Sequence, residues 1–176
     1  MLAGTGGPAQ RVSAWPRSSS SGGSMVELAR DFDEFFASLS AHGVEFLVVG
    51  AYALAFHGVP RFTGDIDVFI RPTTENAARL VSALVDFGFP AADLRPDQLV
   101  DPSRILQMGV EPVQIHVMSD ISGVSWAEAW AGRETGPCGA RDLPFIGRQE
   151  FVRNKRASGR LKDLADVEAL GEIDPS

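Results

Sequence analysis

An acidic pair within an otherwise apolar stretch constrains this chain more than any other feature. The stretch at 46–70 has the pattern of a buried strand, a glycine turn at Gly50, a short helix, and a second strand that carries Asp65 and Asp67. Side chains two residues apart in an extended strand point to the same side of a sheet. The pattern therefore predicts that the two carboxylates lie next to each other on one face.

The acidic pair predicts a bound cation, because neighbouring carboxylates repel each other unless positive charge lies between them. Carboxylate oxygens suit Mg²⁺ or Mn²⁺, and Mg²⁺ is usually held by one or two carboxylates and the phosphates of a substrate. Upstream, Gly50 ends an apolar strand and begins a helix, where free backbone N–H groups favour a phosphate. We therefore expect Asp65 and Asp67 to bind metal, and Gly50 and Ala51 to contact a nucleotide.

Arg61 and Thr63 precede the acidic pair at the same two-residue spacing. If the strand extends back to them, both side chains share the face of the aspartates. Arg61 would then either contact a phosphate or neutralise the two carboxylates as a structural partner. The sequence leaves both roles open.

This combination of an apolar strand, Gly50 followed by a small residue, a helix and an Asp-x-Asp strand resembles the nucleotidyltransferase fold of the DNA polymerase beta superfamily. Within it, the chain is most similar to the minimal nucleotidyltransferases and the AbiEii-like toxins. The resemblance runs from about 44 to 170 and includes the tail NKRASGRLKDLADVEAL. It implies an α+β domain with a mixed central β-sheet flanked by helices, and a closing helical segment at the C-terminus.

The resemblance also implies an activity. Asp65 and Asp67 would hold two Mg²⁺ ions, and a nucleoside monophosphate would pass from a nucleoside triphosphate to a hydroxyl of RNA, a protein or a small molecule. By analogy with the family, the setting would be a toxin–antitoxin pair or phage defence, with an antitoxin as partner.

Two positions depart from that family. His116 stands where its relatives carry a third carboxylate, and strand alternation turns it toward the site together with Gln114. An imidazole is a poor ligand for Mg²⁺ and a good one for Mn²⁺, Zn²⁺ or Ni²⁺. It could instead accept a proton near neutral pH. Catalysis could instead be weakened, or Asp120 or Glu111 could compensate. Ala51 replaces the usual Gly or Ser and removes a hydroxyl contact while its N–H remains.

The segment at 148–162 holds six basic residues and one acid in a chain whose net charge is −7. Lys155, Arg156 and Lys162 are candidates for binding the triphosphate or an RNA acceptor. The plain alternative is a solvated helix face. Ion pairs of the basic side chains with Asp163 and Asp166 would also reduce the positive charge that is available to a ligand.

The 176 residues are enough for one folded domain, which we place at 25–176. Residues 1–24 are rich in Gly, Ser and Pro, and we expect them to be disordered. A single cysteine, Cys138, fits a cytoplasmic protein, and the lack of a long apolar run predicts that the chain does not span a membrane. We interpret His42, His57, Trp126 and Trp130 as structural.

Hydrophobic periodicity and turn residues set the predicted elements. Helices are predicted at about 26–41, 51–57, 73–87, 125–132, 148–157 and 161–170, and strands at 44–49, 104–109, 112–118 and 143–146. A further strand carries Asp65 and Asp67 and ends at about 70. A loop with at most one short helix turn is predicted at 89–103 and a turn at 137–140.

Three functions are consistent with these features. The first is the metal-dependent nucleotidyltransferase. The second is a catalytically degenerate module of the same fold that binds a nucleotide or a protein partner. The third, a sugar-nucleotide transferase that uses Asp-x-Asp, usually needs a longer chain.

Overall fold

The computed structural model describes residues 10–12, 25–61, 63–110 and 113–172. Within them, the strands are β1 (Gln10–Val12), β2 (Phe46–Val49), β3 (Asp65–Ile70), β4 (Ile105–Val110), β5 (Val113–Met118), β6 (Glu134–Cys138) and β7 (Arg141–Phe145). The helices are α1 (Met25–Ala41), α2 (Gly50–Phe56), α3 (Thr74–Phe87), α4 (Pro96–Leu99), α5 (Trp126–Ala131), α6 (Arg148–Ser158) and α7 (Leu161–Ala169), with a 3-10 turn at Ala91–Asp93. Helices and strands alternate up to α3, two hairpins (β4–β5 and β6–β7) follow, and the last two elements are helices.

The strands form one mixed sheet in the order β1-β4-β5-β3-β2-β7-β6. The centre combines parallel and antiparallel pairs: β3 runs parallel to β5 and antiparallel to β2, while β4 is antiparallel to β5. This confirms the predicted α+β class with a mixed central sheet. The acidic strand β3 lies at the middle of the order, so neighbours on both sides fix its position.

The alternation in β3 follows the predicted period of two. Ile66, Val68 and Ile70 are buried, while Asp65 and Asp67 on the opposite face remain partly exposed. An apolar residue that moves fully from water into the core stabilises the fold by about 1.5–3 kcal/mol. A register shift by one residue would bury the carboxylates, so the core holds the acid pair on its face.

The helix ends are set by local chemistry that the sequence shows. Thr73 accepts a hydrogen bond from the Asn76 backbone at the start of α3, and Gly88 ends that helix in the left-handed conformation. The predicted capping box of Ser125 and Glu128 is present at α5. Gly159, at φ +66°, separates α6 from α7.

The predicted loop and turn regions contain more regular structure than expected. The segment 89–103 holds both the 3-10 turn and α4. Strand β6 was not predicted, because Gly136 and Pro137 in its sequence are depleted in strands. It forms nonetheless because it pairs along its whole length with β7. This pairing outweighs the low intrinsic strand preference of Gly136 and Pro137.

Strand β1 lies in the segment for which disorder was expected, and it pairs parallel to β4. The rest of that prediction falls on 1–9 and 13–24, outside the described residues, so it stays a prediction. Among the residues that the structure describes, no helix combines the length and the apolar composition needed to cross a bilayer.

Candidate functional site

The acid pair lies on the exposed side of β3, as predicted. Parallel pairing with β5 sets Asp65 opposite Gln114, and Asp67 opposite His116. The Asp67 side chain is 26% exposed and that of His116 is 19% exposed. The two carboxylates and the imidazole therefore face one shallow polar surface at the centre of the sheet.

The turn at Gly50 lies directly against this surface. Gly50 has φ +68°, and a Cβ built on it would overlap the Asp67 carboxylate at Oδ2. Val49 pairs with Asp67 across the antiparallel β2–β3 ladder, which explains the closeness. Only glycine permits both the left-handed backbone and the approach of the carboxylate. The turn and the acid pair are therefore adjacent.

Gly50→Ala is expected to reduce the free energy of unfolding by about 2–4 kcal/mol, from left-handed strain and overpacking against Asp67. Gly43→Ala is the matched control, since Gly43 has φ +67° with nothing within 4 Å of a built Cβ. It should lose only about 1–2 kcal/mol. Urea unfolding measures both. Equal losses would show that the overlap with Asp67 has no energetic consequence.

His116 holds Asp67 in place. Its Nδ1 lies 2.9 Å from Asp67 Oδ1, and because a carboxylate can only accept, Nδ1–H is the donor. Nε2 lies 3.2 Å from Gln114 Oε1 and 3.3 Å from Gln107 Nε2. Both ring nitrogens thus have protein partners. His116 therefore faces the acid pair, as strand alternation predicted, and its imidazole orients the Asp67 carboxylate.

The two glutamines serve different forms of the imidazole. When Nε2 is unprotonated it accepts from the Gln107 amide, and when it is protonated it donates to Gln114 Oε1. Gln107 lies on β4, and the antiparallel pairing of β4 with β5 sets it opposite His116. Sequence reasoning missed Gln107, since only the β4–β5 register brings it to the site.

The donor set fits a hard divalent cation in part. Asp65 and Asp67 supply the carboxylate oxygens that Mg²⁺ and Mn²⁺ prefer. Within the described ranges, no group of three or more His, Cys, Asp or Glu side chains is placed to hold a metal ion. Asp120 is exposed beyond the end of β5, and Glu111 lies outside the described residues. Substrate phosphates and water would have to complete the coordination of such an ion.

Tyr52 on α2 is a further residue near the acid pair that the sequence analysis did not single out. Burial raises the pKa of its phenol, and Cys138, once its thiol ionises at high pH, and the Asp65 carboxylate raise it further. The phenol therefore stays protonated at neutral pH. In the sequence, its position two residues after Gly50 was the signal that could have pointed to Tyr52.

Burial also raises the pKa of the Cys138 thiol, so this thiol stays un-ionised at neutral pH. This agrees with the interpretation of Cys138 as a residue without a nucleophilic role.

Arg61 lies outside the strand, so the alternation predicted to place it on the face of the aspartates does not extend to it. Strand β3 begins only at Asp65, and Arg61 Nη1 donates to Asp166 Oδ1 of α7 at 2.8 Å. Thr63 lies next to the pair, where its Oγ1 accepts a hydrogen bond from the Asp65 backbone N–H at 3.1 Å. Thr63 thus fixes the start of the strand.

Lys155 is buried in an ion-pair cluster. Its Nζ lies 2.9 Å from Asp163 Oδ1 and 3.2 Å from Asp166 Oδ2, and the side chain is 8% exposed. The ion pairs explain its position, so its predicted contact with phosphate remains a prediction. Arg156 is partly buried and Lys162 is exposed on α7.

Two histidines occupy structural positions, as expected. His42 Nε2 lies 2.6 Å from Asp86 Oδ2. His57 Nε2 lies 2.8 Å from the carbonyl oxygen of Ile146, and its ring packs near Phe56 and Phe151.

The fold is similar to that of a putative nucleotidyltransferase from Thermotoga maritima. The two structures superpose with a TM-score of 0.55 at 16% sequence identity, over 84% of this chain and 92% of the other. At this identity the likeness shows the nucleotidyltransferase fold alone. No protein-family model matches the sequence, and no curated protein matches it.

Proposed function

We propose that this chain is a metal-dependent nucleotidyltransferase that moves a nucleoside monophosphate from a nucleoside triphosphate to a hydroxyl of RNA, a protein or a small molecule. One observation carries the proposal. Asp67 lies against the Gly50 turn, on the face that it shares with Asp65, within a nucleotidyltransferase-like fold. The carboxylates needed for a metal and the backbone suited to a phosphate are thus adjacent.

Asp65 and Asp67 would hold the divalent ions. Such ions, when bound, neutralise phosphate charge and lower the pKa of the attacking hydroxyl. His116 keeps Asp67 oriented through the Nδ1–H bond, and Gly50 lets the backbone approach the phosphates. The acceptor hydroxyl releases its proton to water and its oxygen forms a bond to the α-phosphorus. The bond from the α-phosphorus to the bridging oxygen breaks, and pyrophosphate leaves with that oxygen.

The proposed biological setting is that of the AbiEii-like toxins. It rests on the tail NKRASGRLKDLADVEAL and the Asp-x-Asp strand, which resemble that branch. We expect an adjacent gene for a small antitoxin-like protein that suppresses growth inhibition by this chain. Expression without any effect on growth, with or without such a neighbour, would remove this setting and leave the transferase reaction as proposed.

The reaction is tested by incubating the protein with each α-labelled nucleoside triphosphate, bulk RNA and cell lysate, first with Mg²⁺ and then with Mn²⁺. We expect label to appear on one acceptor class, with release of pyrophosphate and complete dependence on the cation. Label that transfers equally in excess chelator would contradict a metal-dependent reaction.

A second candidate function is the degenerate module, and His116 favours it. An imidazole occupies the position expected for a carboxylate, and no third acidic ligand stands among the described side chains. Such a protein would bind a triphosphate without transferring it.

His116→Asp separates the two candidates. If the site is degenerate, a third carboxylate should raise transfer at least tenfold, since it adds a metal ligand. If His116 serves the working site, the variant should lose activity, because Asp67 loses its hydrogen bond and gains a repulsive neighbour. His116→Asn, which can still donate a hydrogen bond, is the control. Transfer rates in Mg²⁺ and Mn²⁺ decide between these outcomes.

A further inference from the structure

An aromatic stack runs outward from the face that carries the acid pair. Its inner member is Phe69, two residues beyond Asp67 on the same side of β3. The Trp126 ring meets Phe69 edge-on with centroids 5.1 Å apart, and Trp130 stacks on Trp126 at 5.2 Å with planes 23° apart. The guanidinium carbon of Arg133 lies 3.9 Å from the Trp130 centroid. These four residues, Phe69, Trp126, Trp130 and Arg133, are called the aromatic stack below.

The outer end of the aromatic stack is open to solvent. Phe69 is buried, Trp126 and Trp130 are partly buried, and Arg133 is exposed. Arg133 Nη1 donates to the Trp130 carbonyl oxygen at 2.6 Å, which fixes the guanidinium over the indole ring. One face of the guanidinium therefore lies on Trp130 and the other meets water. Nucleobases stack on planar, cationic and aromatic surfaces of this kind.

The strand register places the aromatic stack and the Gly50 turn on opposite sides of Asp67. Val49 pairs with Asp67 in the antiparallel ladder, so Gly50 lies toward the start of β3, while Phe69 lies beyond Asp67 toward its end. Attack on the α-phosphorus requires the attacking and leaving oxygens to lie roughly in line. A triphosphate at the Gly50 turn therefore leaves the side of the aromatic stack to the acceptor.

We propose that the aromatic stack is the acceptor-side platform and binds a base of single-stranded RNA on the exposed face of Arg133. The acceptor role rests on the proposed function, while the binding itself does not. Single strands fit because their bases are free to stack, whereas a duplex covers its base faces. The positive charge of Arg133 favours stacking with a base and attracts the neighbouring phosphates locally, against the repulsion expected from a net charge of −7.

The test measures the anisotropy of a short labelled single-stranded RNA with the wild-type chain, Arg133→Ala and Arg133→Lys. We expect the Kd to rise on the order of tenfold in both variants, because lysine keeps the charge but lacks the plane. RNA should also quench tryptophan fluorescence in the wild type and less in the variants. Unchanged binding in Arg133→Ala would overturn the platform. Full rescue by lysine would show charge attraction without stacking and would also overturn it.

Arg95→Ala is the matched control. Arg95 is also exposed and pairs with Asp97, yet it stands outside the aromatic stack, so its loss should leave RNA binding unchanged. The same RNA annealed to its complement should bind more weakly and without dependence on Arg133. If a nucleoside triphosphate alone loses affinity in Arg133→Ala while RNA does not, the platform holds the donor base and the acceptor assignment is wrong.

The platform and the transferase reaction can fail separately. RNA binding that depends on Arg133, in a protein that transfers no label, supports the platform and contradicts the proposed reaction. Label transfer that is lost in Asp67→Asn, together with an RNA Kd that is unchanged in Arg133→Ala, supports the reaction and contradicts the platform.

Discussion

Asp67→Asn is expected to reduce nucleotidyl transfer at least a hundredfold, which corresponds to about 2.7 kcal/mol of transition-state stabilisation. Asparagine has the same shape but carries no charge, so it removes the attraction for a cation beside the Gly50 turn. The amide can still accept a hydrogen bond from His116 Nδ1–H, which preserves the local packing. Rates of label transfer measure the effect, and urea unfolding checks that the fold persists.

Asp65→Asn should cause a similar loss, because both carboxylates face the same surface. Asp97→Asn is the control, since that side chain lies on α4, is 67% exposed and pairs with Arg95. Its rate should equal that of the wild type. Transfer that survives in Asp67→Asn would mean that the acid pair is a solvated feature of the sheet.

Lys155→Met is expected to lower the free energy of unfolding by about 3–5 kcal/mol. Methionine fills a similar volume, but it leaves the Asp163 and Asp166 carboxylates without the cation that lies 2.9 Å and 3.2 Å from them. Asp163 is fully buried and Asp166 is 4% exposed, so water cannot replace the lost partner, and the cations that remain beside them, Arg160 and Arg61, are exposed side chains. Urea unfolding at neutral pH measures the change.

Arg160→Gln is the matched control, because Arg160 contacts the same Asp163 carboxylate from a side chain that is 63% exposed. Its loss should reduce stability by less than about 1 kcal/mol. Comparable losses in the two variants would show that burial does not strengthen the Lys155 ion pair.

The deficit of Lys155→Met should depend on pH. Burial by itself raises the pKa of Asp163, but hydrogen bonds from Arg160 and Lys155 outweigh it, and the net pKa lies below the ordinary value of 3.8. A lowered pKa contributes stability above the unfolded value, and this contribution is lost as the pH falls through the folded value. The difference between wild type and variant should therefore shrink below about pH 4. A constant difference would contradict a charged Asp163.

Local signals in the sequence predicted the elements that present the site. The alternation at 65–70, the helix stop at Gly88 and the capping box at Ser125 each depend on residues within a few positions of one another. Such patterns can be recognised without knowledge of distant contacts. The acid pair and its turn were therefore predictable, including the face on which they lie.

Contacts between distant segments were not predictable from the sequence. The Arg61–Asp166 ion pair and the Gln107–His116 contact arise from packing of α7 and from the β4–β5 register. Strand alternation wrongly extended β3 back to Arg61, because no local signal marks Asp65 as its first residue. Strand β6 was missed for a related reason, since its pairing with β7 overrides the low strand preference of its Gly and Pro.

The account depends most on the claim that Asp65 and Asp67 hold a divalent cation that binds the triphosphate. Electron paramagnetic resonance of Mn²⁺, with a non-hydrolysable triphosphate present, measures this without any turnover. We predict that the wild type takes up Mn²⁺ and binds the analogue only when the cation is present, and that Asp67→Asn loses both. Equal Mn²⁺ uptake by Asp67→Asn, or binding of the analogue without a cation, would contradict the account.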